Sequence, residues 1–142
     1  MVFDEIDVGI SGDIALQVAA KIQQLSNSTQ VFCITHLPQT ASIAKHHYHL
    51  SKQEVDGRTV SSLTELSEEE HVEQIARMMS GQNFSHTALA TAKEMIQHFK
   101  ISINSFTSVI VITMYTEYDL TPSENKCILL VITLNFELNM RR

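Results

Sequence analysis

The sequence predicts an α/β fold built on a parallel β-α-β core, followed by a β-hairpin and closing helices. Two apolar β-type runs, at residues 1–3 and 30–34, flank a segment in which apolar residues recur at helical spacing. The dipeptide Asp56-Gly57 separates two further β-type runs, and it is a strong hairpin signal because glycine accepts a positive φ. Amphipathic helical patterns follow the hairpin, so we expect helices packed over one sheet.

The first strand is expected to be short, because residues 1–3 fall below the roughly five residues of a usual parallel strand. Ser11 can cap the following helix, and Asp13 lies in its first turn, where the helix dipole favours an acidic side chain. The apolar residues of that helix share one predicted face: Ile14, Ala15, Val18, Ala19, Ile22 and Leu25. A short helix is expected over residues 37–44, with Pro38 tolerated in its first turn.

After the short helix, the sequence predicts a β-hairpin and two further helices. Hairpin strands are expected over residues 47–53 and 58–66. Ser67, followed three residues later by Glu70, matches a capping box and predicts the start of a helix. A last amphipathic helix is expected over residues 85–100.

Beyond residue 100 the character of the chain changes. Residues 108–115 and 127–136 are β-branched apolar runs, and neither approaches the ~20 apolar residues of a membrane helix. We interpret residues 101–142 as a β-prone extension, either an added hairpin or an unplaced segment.

The composition is that of a globular protein of one domain, with 142 residues, 44% of them hydrophobic and 18% charged. A net charge of −6 argues against a basic surface that would bind nucleic acid without sequence preference. Cys33 and Cys127 provide neither metal-ligand spacing nor a disulfide framework, so we expect a reducing cytosol.

Polar side chains follow both strands of the predicted core. Asp4 and Glu5 follow the first, and His36 follows the second. Because the carboxyl ends of parallel strands meet at one edge, we expect these three residues to share a crevice. Two carboxylates there can divide the work of a nucleotide hydrolase, one binding Mg²⁺ and the other orienting the attacking water. An acidic surface turn is the alternative for Asp4 and Glu5 taken alone.

The combined motifs resemble the RecN family. VFDEIDVGISG, a helix and VFCITHLPQTA are similar to the carboxy-terminal part of the ATPase head of RecN, a bacterial double-strand-break repair protein related to the SMC and ABC ATPases. The resemblance continues through HHYHLSK, DGRTVSSL and EEEHVEQIARMMSG to about Lys100. It implies a partial P-loop NTPase, the carboxy-terminal lobe of an ABC/SMC-type head, over residues 1–100, with residues 101–142 outside the family.

The resemblance also implies roles for the site residues. Asp4 matches the Walker B aspartate that holds Mg²⁺, and Glu5 matches the catalytic glutamate that polarises water. His36 matches the switch histidine that contacts the γ-phosphate. The segment matching the D-loop, which packs across a dimer of heads in the family, contains Gly9, Ser11 and Gly12. A plain strand-to-helix connection is the alternative for that segment.

Two parts of the family's ATP site are absent from the sequence. No G-x-x-x-x-G-K-[ST] motif occurs, and the four glycines, at positions 9, 12, 57 and 81, cannot form one. The ABC signature is absent too. Without the strand that precedes a P-loop, the two core strands lack a neighbour, and their apolar edge is an aggregation hazard unless the extension covers it.

We therefore expect a RecN-like ATPase segment, acting in DNA double-strand-break repair and recombination, that is inactive alone. It would hydrolyse ATP with Mg²⁺ only when the amino-terminal half of the head or a partner completes it. The other implied partners are a second head in a homodimer and DNA, reached through the full protein rather than clearly through this segment, in a cytoplasmic, nucleoid-associated setting without a membrane. The alternative is a non-catalytic remnant or interaction module that binds no nucleotide.

The remaining histidines are assigned no chemistry. His46, His47 and His49 lack a cysteine or carboxylate at ligand spacing, so we place them on an exposed edge or solvent face. Three more are expected on helix surfaces: His71, His86 and His98.

Overall fold

The computed structural model describes residues 1–56, 58–100 and 109–114. Within them, five strands form one sheet in the order β1-β2-β5-β3-β4. The strands are β1 (Val2–Asp4), β2 (Val31–Thr35), β3 (His46–Val55), β4 (Arg58–Glu65) and β5 (Val109–Met114). The helices are α1 (Gly12–Ser26), α2 (Pro38–Ser42), α3 (Glu68–Ser80) and α4 (His86–Lys100). None of these helices is long and apolar enough to cross a membrane.

The sheet is mostly parallel, as predicted. β1 pairs with β2, β2 with β5 and β5 with β3 in parallel, and only β4 runs antiparallel, against β3. Val55 pairs with Arg58 across the predicted hairpin turn. The predicted capping box is also confirmed, because Ser67 and Glu70 each accept a backbone N–H from the other. The α/β class and the β-α-β core are therefore both confirmed.

Strand β5 comes from the extension and lies in the middle of the sheet. The sequence predicts a β-type run there, but not its position between β2 and β3. Val109, Val111, Ile112 and Thr113 are all buried, at 3% exposure or less. β5 thus covers the edge of β2 that the sequence leaves without a neighbour. The second predicted run, residues 127–136, lies outside the described residues, and the boundary at residue 100 stays a prediction.

Helix α1 is rotated relative to its predicted face. Its buried hydrophobic residues are Ala15, Ala19 and Ile22, whereas Ile14 is 61% exposed and Leu25 is 42% exposed. The helix packs through two alanines and one isoleucine spaced four and three residues apart, and this stripe leaves Ile14 and Leu25 outside the contact. Ser11 occupies the N-cap position, but its side chain makes no capping hydrogen bond.

The solvent-facing assignment is wrong for His47 and His71, which are 2% and 8% exposed. Their ring centroids lie 4.7 Å apart in an edge-to-face contact. Nε2 of His47 lies 2.7 Å from the hydroxyl of Thr113 on β5, and Nε2 of His71 lies 3.2 Å from the carbonyl oxygen of Ala41. The cause is tertiary: a strand distant in sequence covers β3, and α3 packs against α2.

Candidate active site at the carboxyl edge of the sheet

The register of β1 and β2 brings the predicted site residues to one edge. Asp4, the last residue of β1, pairs with Ile34 near the end of β2. The backbone N–H of Glu5 donates to the carbonyl oxygen of Ile34 at 3.0 Å, and His36 follows Thr35, where β2 ends. Asp4 and His36 are exposed and Glu5 is half-buried. Because β1 and β2 are adjacent and parallel, Asp4 lies beside Ile34, which is 30 residues away in sequence.

Glu5 adopts a left-handed backbone conformation, with φ of 46°. For a residue with a Cβ atom this conformation costs roughly 1–2 kcal/mol, because Cβ crowds the following carbonyl. The conformation turns the chain out of β1, and the N–H of Val8 closes the turn on the carbonyl oxygen of Glu5 at 3.2 Å. Strain of this kind is concentrated at functional sites, which makes Glu5 the most informative backbone position at this edge.

A buried carboxylate beneath this turn was missed by the sequence reasoning. Asp7 is 0% exposed, and its Oδ2 accepts a hydrogen bond from the hydroxyl of Thr35. The same hydroxyl accepts the backbone N–H of Leu37 at 2.9 Å. This relay ties the turn after β1 to the segment that carries His36. The available signals were the third acid of the Asp4-to-Asp7 run and the threonine directly before His36.

The segment between the turn and α1 depends on two glycines. Gly9 and Gly12 have φ of 77° and 60°, and an added Cβ atom would meet no atom within 4 Å at either position. The requirement is therefore conformational rather than steric. Ser11 lies between them, and all three residues are exposed. The segment is therefore accessible at the surface of the described part of the chain.

The thiol of Cys33 lies in β2, level with Phe3 of β1, and is not a nucleophile. Burial raises its pKa to about 12, and the negative charges of Asp7 and Asp4 add to the rise. A thiol in this state stays protonated at neutral pH, and the thiolate is the reactive form. Cys33 therefore serves as a core residue beneath the acidic edge.

A cleft of about 270 Å³ lies away from this site. It opens near His47 at the amino end of β3 and is also lined by Lys45, His71 and Lys100. Because β2 and β3 are both parallel to β5, this cleft is at the opposite edge of the sheet from Asp4 and His36. It does not contribute to the candidate site.

The side chains at the carboxyl edge fit half of a magnesium-nucleotide site. Mg²⁺ is usually held by one or two carboxylates together with substrate phosphates, and Asp4 and Glu5 supply carboxylates at the end of a strand. The phosphates themselves need a glycine-rich loop of backbone N–H donors, which the sequence does not contain. Among the described residues, no group of three or more His, Cys, Asp or Glu side chains could hold a metal ion by itself. Mg²⁺ at Asp4 and Glu5 would therefore need further oxygen ligands from the phosphates of a nucleotide.

Comparison with known proteins identifies the family. The chain is 44% identical over 96 residues to the DNA repair protein RecN of Halalkalibacterium halodurans and 48% identical over 96 residues to that of Deinococcus radiodurans. It is 41% identical over 97 residues to RecN of Bacillus subtilis. The chain belongs to the RecN family. No family model matches it.

The alignments cover most of this chain but only a small part of each RecN protein. Each of these three alignments covers 68% of the chain but only 17% of the RecN protein. The chain therefore carries a RecN segment, as its motifs predict, and the mostly parallel sheet is consistent with part of a P-loop NTPase lobe. The individual roles of Asp4, Glu5, His36 and the D-loop glycines stay predictions.

Proposed function

We propose that the chain supplies the water-activating side of a RecN-like ATPase that acts in DNA double-strand-break repair and recombination. The observation that carries this proposal is the pairing of Asp4 with Ile34, which puts Asp4, Glu5 and His36 at the end of two adjacent strands. The left-handed Glu5, held by the Ile34 carbonyl, supports it further. The names of the relatives, all DNA repair proteins, provide the biological setting.

Each residue of the edge has a distinct task in the proposed reaction. Asp4 is the ligand for Mg²⁺, which when bound neutralises charge on the phosphates. Glu5 accepts a hydrogen bond from the attacking water and orients it toward the γ-phosphate. His36 contacts the γ-phosphate and responds to its release. Asp7, through Thr35, holds the segment that presents His36.

The proposed activity requires partners. An amino-terminal half of a RecN head would provide the P-loop that binds ATP, and the exposed segment at Gly9, Ser11 and Gly12 would pack against a second head in a homodimer. DNA would be reached through the full protein, because a net charge of −6 argues against non-specific binding of nucleic acid by this chain. Alone, the chain is expected to turn over no ATP.

One observation favours a second candidate, a non-catalytic interaction module. β5 completes the sheet with buried side chains, and no glycine follows it anywhere in the sequence. The fold therefore closes around a strand that brings no phosphate-binding loop. In this alternative the acidic edge keeps its shape but binds no nucleotide.

ATP hydrolysis in the presence of Mg²⁺ tests the proposal. It is measured for the chain alone, for the chain mixed with a separately produced amino-terminal half of RecN, and for one polypeptide that joins that half to residues 1–100. We expect turnover in the joined polypeptide and none in the chain alone. An inactive joined polypeptide that nevertheless folds cooperatively would leave the interaction module as the function.

A further inference from the structure

Strands β2 and β3 follow each other in the sequence but do not pair. β5 lies between them and pairs with both: Val111 is level with Cys33 of β2 and with His47 of β3. Only the five-residue helix α2 lies in the connection from β2 to β3. Consecutive strands are usually neighbours in a sheet, so this skipped position marks a place for a strand from elsewhere. We call the space between β2 and β3 the strand slot.

β5 fills the strand slot on both faces of the sheet. Ile112 packs with Ile34 and Leu50 on one face, and Val109 and Val111 belong to the larger core on the other. The backbone N–H of Lys45 also donates to the carbonyl oxygen of Val109 at 2.9 Å. The slot therefore selects an extended, apolar segment that can be buried on both sides, as strands of parallel sheets are.

A strand in the strand slot that runs parallel to β2 ends near the candidate site. A strand that is parallel to β2 ends at the same edge as β2, next to the segment that carries His36. A P-loop follows directly after such a strand, so an occupant with a P-loop would deliver it beside Asp4 and His36. After Met114 the sequence continues Tyr115-Thr116-Glu117 and contains no further glycine. β5 occupies the slot without bringing a phosphate-binding loop.

We propose that the strand slot is the docking site for the apolar strand that precedes the phosphate-binding loop of a RecN amino-terminal half, and that β5 is an internal substitute which must leave before that strand binds. This inference rests on the function proposed above. β5 then has two effects: it shields the sheet while no partner is present, and it competes with the partner. Because β5 belongs to the same chain, it competes at an effective concentration of order millimolar.

Weakening β5 tests the competition directly. A fluorescently labelled RecN amino-terminal half is titrated with the full chain and with Ile112→Ala, which removes most of a buried β5 side chain. Ile96→Ala is the matched control, since Ile96 is buried to a similar degree in α4, outside the sheet. We expect Ile112→Ala to bind at least about tenfold more tightly than the unsubstituted chain, because a truncated β5 competes less well for the slot. Ile96→Ala is expected to bind as the unsubstituted chain does.

Hydrogen exchange on the complex identifies the displaced strand. In the free chain the amides of residues 109–114 are expected to be protected. In the complex of the unsubstituted chain they are expected to exchange faster, while those of Cys33 and Leu50 stay protected by the incoming strand. This measurement decides the question even if Ile112→Ala does not fold. Continued protection of residues 109–114 in the complex, equal effects of the two substitutions, or no complex with any variant would overturn the proposal.

These measurements test the docking proposal for the strand slot independently of the proposed ATPase function. Binding and exchange are measured without turnover, and the joined polypeptide described above needs no displacement of β5. A joined polypeptide that hydrolyses ATP, with a separate half that never displaces β5, rejects the strand slot and retains the ATPase. Displacement of β5 without turnover in the joined polypeptide rejects the ATPase and retains the strand slot.

Discussion

At the carboxyl edge of the sheet Asp4 and His36 are exposed, whereas at the amino end of β3 the side chain of His47 is 2% exposed. His36 follows the last residue of its strand, so its ring lies outside the ladder. His47 lies inside β3, where Thr113 and His71 contact its ring. A histidine beyond the end of β2 is therefore exposed, whereas a histidine within β3, the second strand from β2 in the sheet, is buried by packing.

Buried titratable groups also have different roles at the amino end of β3 and at the carboxyl edge of the sheet. Burial lowers the pKa of His47 to about 3, with the neighbouring His71 and His49 adding to the decrease, and burial also lowers the pKa of His71. These rings are kept neutral and serve the core. At the carboxyl edge the buried acid, Asp7, instead holds an exposed segment in place through Thr35. Buried polar groups thus support the fold in one region and position the site in the other.

The sharpest test of the exposed edge is Glu5→Gln in the joined RecN polypeptide. The substitution keeps the size of the side chain and removes the charge that is proposed to orient water, so we expect turnover to fall at least about 100-fold. ATP affinity is expected to change little. Glu73→Gln, at an exposed position of α3, is the control and is expected to keep full activity. Equal turnover of the two variants would remove Glu5 from the reaction.

Thr35→Val tests the connection between the buried and displayed groups at the carboxyl edge. The variant leaves the Asp7 carboxylate and the Leu37 N–H without their shared partner, which we expect to cost roughly 2–3 kcal/mol in the free energy of unfolding. Thr35→Ser, which keeps the hydroxyl, should recover most of that loss. Urea unfolding of both variants measures the difference, and a Thr35→Val variant that loses no more stability than Thr35→Ser would contradict a stabilising role of the hydroxyl.

Acid should weaken the histidine-containing core. In the unfolded chain His47 has its ordinary pKa of 6.5, and in the folded chain it is about 3. As the pH falls below 6.5 the unfolded state binds the proton first, so stability is lost progressively as the pH falls toward 3. We expect a loss of about 2 kcal/mol by pH 5 from this residue.

His47→Gln separates this contribution from those of other groups. Urea unfolding between pH 7 and 5 should show a shallower pH dependence for His47→Gln than for the unsubstituted chain. Some slope should remain, because the pKa values of His71 and His49 are also lowered by burial. His86→Gln, at an exposed position, should leave the slope unchanged. A slope unaffected by His47→Gln would contradict a neutral buried ring.

The smallest expected effect has the opposite sign. Glu5→Gly places the residue that best tolerates a φ of 46° at the strained position, so we expect the folded chain to gain up to about 1 kcal/mol. The same variant should be inactive in the joined polypeptide. Thermal unfolding measures the gain, and a lower melting temperature would show that the Glu5 side chain contributes more to folding than its backbone costs.

Local chemistry in the sequence was enough to predict most elements and to place Asp4 and His36 at one edge of the sheet. The Ser67–Glu70 capping box, the turn between Val55 and Arg58 and the short β1 depend on neighbours within a few residues, so their signals survive without tertiary context. Asp4 and His36 could be placed together because a β-α-β unit leaves few choices for where its strands end. The match to RecN proteins confirms the family that these motifs indicate.

The tertiary structure alone decided which strand lies beside β2 and which histidines are buried. The contact between His47 and Thr113 spans 66 residues, and the one between Asp7 and Thr35 spans 28. No local pattern encodes such pairings, because a β-branched run fits any position where both faces are covered. The sequence shows that residues 108–115 favour a strand. Only the tertiary pairing with β2 and β3 determines that this strand completes the sheet.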